Sequence, residues 1–255
     1  MAGECCLSVP DYLPPERHRL VRKLESIAPL SDTEQQALLA LPVTVQIMDA
    51  NMAIVRDGQR SQTCSLILDG FVCRSKSLPD GRRQIMSFHT PGDIADLQGL
   101  TLNVADHSVS TLVPTRVGLI PHESLHELMR RYPGVAAAFW RDTLVDGAIF
   151  RAWLINIGRR TVQQRIAHLL CEMTTRCEAV GLSHNSGYEL PLRQSDIADA
   201  LGLSPVQVNR VLRELGARGL IRSQDSTIAA LDWEGLKQAG EFDPTYLHLS
   251  REEAA

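Results

Sequence analysis

Residues 190–222 read LPLRQSDIADALGLSPVQVNRVLRELGARGLIR, and this stretch decides the fold. It divides into two short helices joined by a tight turn. Ile197, Ala198 and Leu201 are the apolar positions of the first helix, and Gly202 supplies the left-handed residue that ends it. Ser204 opens the second helix as a good N-cap. Pro205 suits the first helical position, and Gln207 completes an S-x-x-Q capping box. Val208, Val211, Leu212 and Leu215 then fall at i, i+3, i+4 and i+7, a single stripe to be buried. Val206, Asn209, Arg210 and Arg213 repeat that spacing on the face pointing away.

An outward face of Asn and Arg on a capped helix suits the floor of a DNA major groove. Arg offers two donors to the O6 and N7 edge of guanine, and Asn can bond adenine or a phosphate. A helical hairpin with a merely solvated charged face is the plainer alternative. The glycine turn, the cap and the divided faces occur together, and that coincidence favours DNA reading. The formal net charge of −4 excludes a globally basic coat but not a local footprint. Between Leu203 and Arg222 stand Arg210, Arg213, Arg218 and Arg222 against Glu214 alone, so the basic surface is local.

At 255 residues the chain can bury a substantial core in one large domain or two small ones. No run approaches the ~18 apolar residues of a membrane span. The first residues, MAGECCLSVPDYLPPERHR, have no apolar core after a basic start, so no secretory signal and a cytoplasmic location are expected. Cysteines stand at 5, 6, 64, 73, 171 and 177 with no C-x-x-C pair among them. Free thiols are expected, and neither a disulfide, an iron–sulfur cluster nor any other cofactor or metal.

Upstream, Arg22 to Ile27 and Ser31 to Leu41 read as short helices, with Ser31 a plausible N-cap and Glu34 three residues on. From about Val43 to Leu119 the pattern becomes short alternating segments: VTVQIM, SLILDGFVCRS, RRQIMSFH, HSVSTLV and TRVGLI. Asp57-Gly58, Asp69-Gly70, Asp80-Gly81 and Gly92-Asp93 punctuate them every eleven or twelve residues, which predicts an antiparallel sandwich or barrel. After Pro133-Gly134 a long helix runs from about Val135 to Ile157. Phe139, Trp140, Leu144, Gly147, Phe150, Leu154 and Ile157 form one broad face of it, and Val145, Ile149, Ala152 and Trp153 much of a second. A helix apolar on two sides must be covered on two sides. Gly158-Arg159-Arg160 forms a hinge to a further helix from about Thr161 to Val180.

The segment DIADALGLSPVQVNRVLRELGARGLI and the tail TIAALDWEGL resemble the Crp/Fnr family of bacterial transcription regulators, and PGDIADLQGL and LDGFVCRSK extend the resemblance upstream in the right order. It covers nearly all of the chain beyond the first twenty or so residues. The resemblance implies an α+β fold: an N-terminal antiparallel β jelly roll of the cyclic-nucleotide-binding type, a long dimerisation helix and a C-terminal winged helix-turn-helix domain. It divides the chain into a loose tail over 1–19, the jelly roll over 20–134, the helix over 135–158 and the DNA-binding domain over 159–250. The wing fits Gly219-Leu220-Ile221 and Ile228-Ala229-Ala230-Leu231, with polar Ser223 to Thr227 between. The implied partners are double-stranded DNA with an inverted repeat, a second copy of the chain and RNA polymerase. Ser204, Val206, Gln207, Asn209, Arg210 and Arg213 would form the DNA surface. Val206 stands where the family usually has Glu, which removes an acceptor for a cytosine amino group.

In cyclic-nucleotide-binding relatives a Gly-Glu-Leu segment grips the ribose, and an Arg followed by Ser or Thr neutralises the phosphate. Here Gly92-Asp93-Ile94-Ala95-Asp96-Leu97 and His107-Ser108 occupy those places, so Asp96, Leu97, His107 and Ser108 are the candidate effector-pocket residues. Without the Arg, a buried phosphate loses bidentate contacts that offset its desolvation. Control by cyclic AMP is therefore not expected, and a pocket for another small molecule stays open. His122-Glu123-Ser124-Leu125-His126 matches the H-E-x-x-H pattern of zinc peptidases. The following residues offer no third ligand beyond Asp142 and Asp146 on the long helix, so an exposed helix start is preferred. A metal-dependent enzyme and a small-molecule-binding jelly roll without DNA binding are the alternatives to a non-enzymatic regulator.

Overall fold

The computed structural model describes residues 18–182, 189–224 and 227–250. The first helix, α1, spans His18–Glu25 rather than beginning at Arg22. Its buried residues Leu20, Val21 and Leu24 set the register, and the chain has left the helix before Ile27 is buried. Helix α2, Asp32–Leu39, starts at Ser31 with the full capping box to Glu34. Seven strands follow: β1 Thr44–Met48, β2 Ala53–Val55, β3 Thr63–Asp69, β4 Val72–Ser77, β5 Arg83–His89, β6 Ser108–Thr111 and β7 Thr115–Pro121. They form two antiparallel sheets, ordered β1-β7-β3 and β2-β6-β4-β5. Strand β2 is an addition to the expected set, since three residues are too short to show alternation.

The glycines at the predicted turns carry positive φ: Gly58, Gly70, Gly81 and Gly92. At Gly70 a side chain is excluded twice over, because a Cβ would lie 2.5 Å from Thr115 Oγ1 and 2.8 Å from Pro114 O. Leu66, Leu68, Cys73, Ile85, Phe88 and Ile120 belong to the main core, which continues into the helices, and Val55, Ile67, Val72, Ala95 and Val109 form a smaller cluster joining strands of both sheets.

Helix α3, His122–Arg131, leads into α4, Pro133–Arg159. One side of α4 is buried through Val135, Phe139, Val145, Ile149 and Trp153, with Phe88 and Trp153 meeting edge to face at 5.8 Å. The other side presents Trp140, Leu144 and Leu154 at 67%, 53% and 74% exposure. This corrects the expected faces in one respect: Phe139 belongs to the buried side, because it is set about 100° around the helix from Trp140.

Helix α5, Val162–Ala179, has its own capping box from Thr161 to Gln164. Then come α6 Gln194–Leu201, α7 Pro205–Ala217, strands β8 Ile221–Gln224 and β9 Thr227–Ala230, and α8 Trp233–Gly240. Helix α6 lies against β5 of the same chain. Arg83 donates to Asp199 at 2.8 Å and to Asp196 at 2.9 Å, and Gln84 donates to the carbonyl of Ala200 at 3.1 Å. No helix among the described residues is long and apolar enough to cross a membrane.

Candidate nucleic-acid interface and interdomain cavity

The turn before α7 is built as its sequence requires. Gly202 adopts φ 64 and closes α6 with its N–H on the carbonyl of Ala198. The Ser204 hydroxyl accepts from the N–H of Gln207, and the Gln207 carbonyl oxygen accepts from the N–H of Ser204 at 2.9 Å. Ser204 and Gln207 thus fix where α7 begins. Val208, Val211, Leu212 and Leu215 are buried. Val206 is 78% exposed, and Arg210 and Arg213 are exposed beside it. Asn209 is partly buried and donates to the side-chain oxygen of Gln194 at 3.1 Å, so α6 sets its orientation. Arg210 stands 3.7 Å from Glu214, an exposed pair that holds it only weakly. Beyond Gly219, at φ 73, β8 and β9 pair antiparallel as the wing, and Arg222 donates to Glu189 at 2.9 Å. The middle of the expected wing turn, 225–226, lies outside the described residues.

A second site lies between the jelly roll and α4, a cavity of about 370 Å³. Leu97 and His107 line it. Asp96 lines a smaller neighbouring pocket together with His107 and Gln98, and Ser108 lines neither. The Asp96 carboxylate accepts from the N–H and hydroxyl of Ser65 at 2.5 and 2.9 Å, bracing the loop against β3. The Ser108 hydroxyl accepts from the N–H of Asp57 at 3.0 Å. A guanidinium is absent beside Ser108, yet the cavity wall holds two from elsewhere, Arg74 on β4 and Arg176 on α5. Arg74 pairs with Asp146 and donates to the carbonyl of Ala95 at 2.8 Å. Arg176 pairs with Asp93 at 3.0 Å, donates to the carbonyl of Phe88 at 2.8 Å and reaches Glu172 at 3.5 Å. Lys23, from α1, bridges Asp93 at 3.6 Å and Asp142 at 3.3 Å.

These charges set the titration of their neighbours. Asp93 is held well below the usual carboxylate range: Lys23, His89 and Arg176 together outweigh its burial. Burial, helped by Arg74, pushes His89 down to about 4, so the ring is neutral at pH 7. Behind the wall, Glu172 accepts from the indole of Trp153 at 3.0 Å and from the hydroxyl of Tyr246 at 2.7 Å, tying α4, α5 and the C-terminal segment together. His168 stacks on Tyr246 at 5.7 Å, and burial, with Arg160 acting the same way, lowers it to about 4.

His168 gives a pH prediction with a definite sign. The unfolded chain binds its proton near pH 6.5 and the folded chain only near 4, so the unfolded state holds more protons in between. Stability contributed by neutral His168 is therefore complete above about pH 6.5 and falls as pH drops toward 4. Denaturant titrations at pH 7 and pH 5 should show His168→Gln losing less stability on acidification than the natural chain. The full window corresponds to about 3 kcal/mol, of which the step from pH 7 to pH 5 reads about 2. An unchanged slope would contradict the assignment.

The H-E-x-x-H pattern opens α3. His122 Nε2 is buried without a hydrogen-bond partner among the described residues, while His126 and Glu123 are exposed. Among the described residues no three His, Cys, Asp or Glu side chains are grouped to hold a metal ion. Cys64, Cys73, Cys171 and Cys177 are buried free thiols, each pushed upward by burial; Cys5 and Cys6 lie outside the described residues.

Two family models match the chain: a cyclic nucleotide-binding domain over residues 46–132 and a Crp-like helix-turn-helix domain over 164–239. The nitrogen fixation regulation protein FixK of Rhizobium meliloti is 30% identical over 187 residues, covering 72% of this chain and 81% of that protein. The chain belongs to the Crp/Fnr family. The structure of FixK2 from Bradyrhizobium japonicum superposes with a TM-score of 0.69 at 27% identity, covering 78% of this Crp/Fnr chain and 98% of that one. The transcriptional activator FnrL of Cereibacter sphaeroides is 25% identical over 210 residues, 81% of this chain and 82% of that protein. This Crp/Fnr protein is a DNA-binding transcription regulator, and its relatives are regulators rather than enzymes.

Reasoning from sequence missed Lys23, Arg74 and Arg176. Arg74 sits in an alternating strand where a charged residue reads as solvent-facing. The Glu172–Arg176 spacing of four was a signal for a helix-face pair, but not for its burial.

Proposed function

We infer that this regulator binds an inverted-repeat site in DNA as a homodimer, α4 against α4, without control by cyclic AMP. It acts in the cytoplasm, contacts RNA polymerase when bound at a promoter, and carries no enzymatic activity. The observation that carries the reading is the exposed Val206, Arg210 and Arg213 face on a capped helix supported by α6. The exposed apolar side of α4 supports the dimer, since large exposed apolar patches mark association surfaces. Two copies joined there would present their recognition helices about one DNA turn, ~34 Å, apart. The cavity beside Leu97 and His107 is the effector site in this reading.

The recognition helix is tested by separating two arginines. Arg210 lies nearer the Ser204 cap, where the helix meets base edges, and it is assigned to guanine. Arg213 lies nearly a turn further along and is assigned to phosphate. Arg210→Ala should cost ~1–3 kcal/mol at the cognate site and relax preference at one base pair per half-site. Arg213→Ala should weaken cognate and random DNA alike and reduce the salt slope. Asn209 falls between, with its amide already oriented by Gln194. Titrations of cognate and scrambled duplexes over several salt concentrations decide. Equal loss on both duplexes for Arg210→Ala would make it a positioning residue instead.

Cyclic AMP should neither bind at micromolar concentration nor raise DNA affinity. Every cation in the cavity already holds a carboxylate, so the phosphate would have to strip one of its partner. Calorimetry giving a micromolar dissociation constant would overturn this.

A further inference from the structure

A separate cavity, of about 420 Å³, opens where α4 ends and the DNA-binding domain begins. Ala148, Ala152 and Ile155 on α4 form one wall, and Arg160, His168 on α5 and Tyr246 form the other. No residue lines both this cavity and the one beside Leu97 and His107. Arg160 is held in place by its own backbone. It ends α4 in an extended conformation, at φ −78 and ψ 150, one residue before the Thr161 cap. Its carbonyl accepts from Arg165 Nε at 2.9 Å, and its guanidinium enters the cavity from the hinge.

That guanidinium has no counter-charge among the described residues. Its Nε and Nη1 are sealed from water without a hydrogen-bond partner, and Nη2, also unpartnered, is the nitrogen left open. His168, in the same wall, is 2% exposed, with Nδ1 sealed and unpartnered and Nε2 without a partner. The carboxylates that line the cavity are engaged elsewhere. Glu241 accepts from Gln164 at 2.7 Å, and Asp243 accepts from the N–H of Thr245 at 2.9 Å. Neither pairs with Arg160 or with Arg151, which is exposed at the rim. A part-buried charge with no partner is costly, and an oxyanion on the open nitrogen would offset that cost. The arrangement reverses that of the other cavity, where each cation already holds a carboxylate.

We propose that this cavity binds a phosphate group, free or on a small ester, through Arg160 Nη2 and the Nε2–H tautomer of His168. Arg151 adds a second positive charge at the rim, which favours phosphate over a singly charged carboxylate. The strip of Ala148, Ala152 and Ile155, with Ile155 55% exposed, is left for the body of an ester. The site is independent of the effector cavity. Its occupant would touch α4, the hinge, α5 and the C-terminal segment at once, and so hold the DNA-binding domain to the long helix.

Inorganic phosphate, phenyl phosphate and benzyl alcohol, titrated separately into the full chain, test the site through the ring-proton NMR signal of His168, assigned with His168→Gln. Both phosphates should bind at roughly millimolar concentration or below, phenyl phosphate at least about tenfold tighter than benzyl alcohol. Phenyl phosphate tighter than inorganic phosphate identifies an ester site, and equal affinity a site for the free ion. Either phosphate should raise the midpoint of His168 from about 4 toward the usual 6.5, because a nearby anion favours the imidazolium. Arg160→Gln should abolish binding, and Arg160→Lys, which keeps the charge, should retain part of it. Thermal unfolding of both variants controls for folding. Phosphate that leaves the His168 signal unmoved, or that still binds Arg160→Gln, lies elsewhere and overturns the site. Benzyl alcohol binding as tightly as phenyl phosphate would overturn the ligand class. If the natural chain binds neither phosphate, and Arg160→Gln weakens cognate and random DNA alike, the guanidinium serves the DNA backbone and the proposal falls.

Discussion

Replacing Leu154 by glutamate should turn the protein into a monomer and lower its affinity for an inverted repeat by roughly 10²–10⁴-fold. Leu154 is 74% exposed on α4, on the same side as Trp140 and Leu144. In an isolated copy the substitution removes almost no buried contact, so the fold should hold to within about 0.5 kcal/mol. Across a two-fold axis the same carboxylate would be desolvated beside its own symmetry mate. DNA binding suffers because the second half-site contact ceases to be intramolecular. Sedimentation and duplex titration on the same preparation measure both effects. A variant that still sediments as a dimer would place the interface elsewhere. A monomer that holds the inverted repeat as tightly as the natural chain would remove the need for a dimer.

The second large effect concerns stability. Asp93→Ala should cost about 3–5 kcal/mol, because it strips both Arg176 and Lys23 of a carboxylate inside the protein. The same side chain accepts from the N–H of Thr90 at 2.8 Å, so a loop anchor is lost with it. The exposed pair of Glu127 and Arg130 provides the contrast, and Glu127→Ala should change stability by no more than about 1 kcal/mol. Denaturant unfolding of the two variants side by side reads the difference. Similar small losses in both would mean that water reaches the Asp93 network freely.

The parts of the fold legible in the sequence are those set by neighbours in the chain. The start of helix α7 could be placed to the residue because Gly202, Ser204, Pro205 and Gln207 act close together in the chain. The strand turns were legible for the same reason, each being an Asp-Gly or Gly-Asp step with positive φ at the glycine. The cavity was not legible. Arg74 meets Asp146 across 72 residues of chain and Arg176 meets Asp93 across 83, and no local spacing encodes either meeting. The family resemblance directed attention to the loop from Gly92 to Ser108. It carried no information about side-chain direction, so it could not show that Asp96 braces Ser65 beside a smaller pocket while Arg74 and Arg176 face the larger one. Helix α4 lies between these cases: its length and double apolar character are periodic signals, but which side Phe139 joins depends on where the jelly roll packs.

Arg83 holds α6 by two carboxylates, and α6 in turn orients Asn209 through Gln194. The aim of the recognition helix is therefore inherited from a β-hairpin some hundred residues away in sequence. In a two-fold assembly, any tilt of β5 would be copied twice with opposite sense and would appear as a change in the distance between the two reading heads. The length of DNA that such an assembly spans would then be a dimension of its jelly roll, written in strand geometry, as much as a property of the helix that touches the bases.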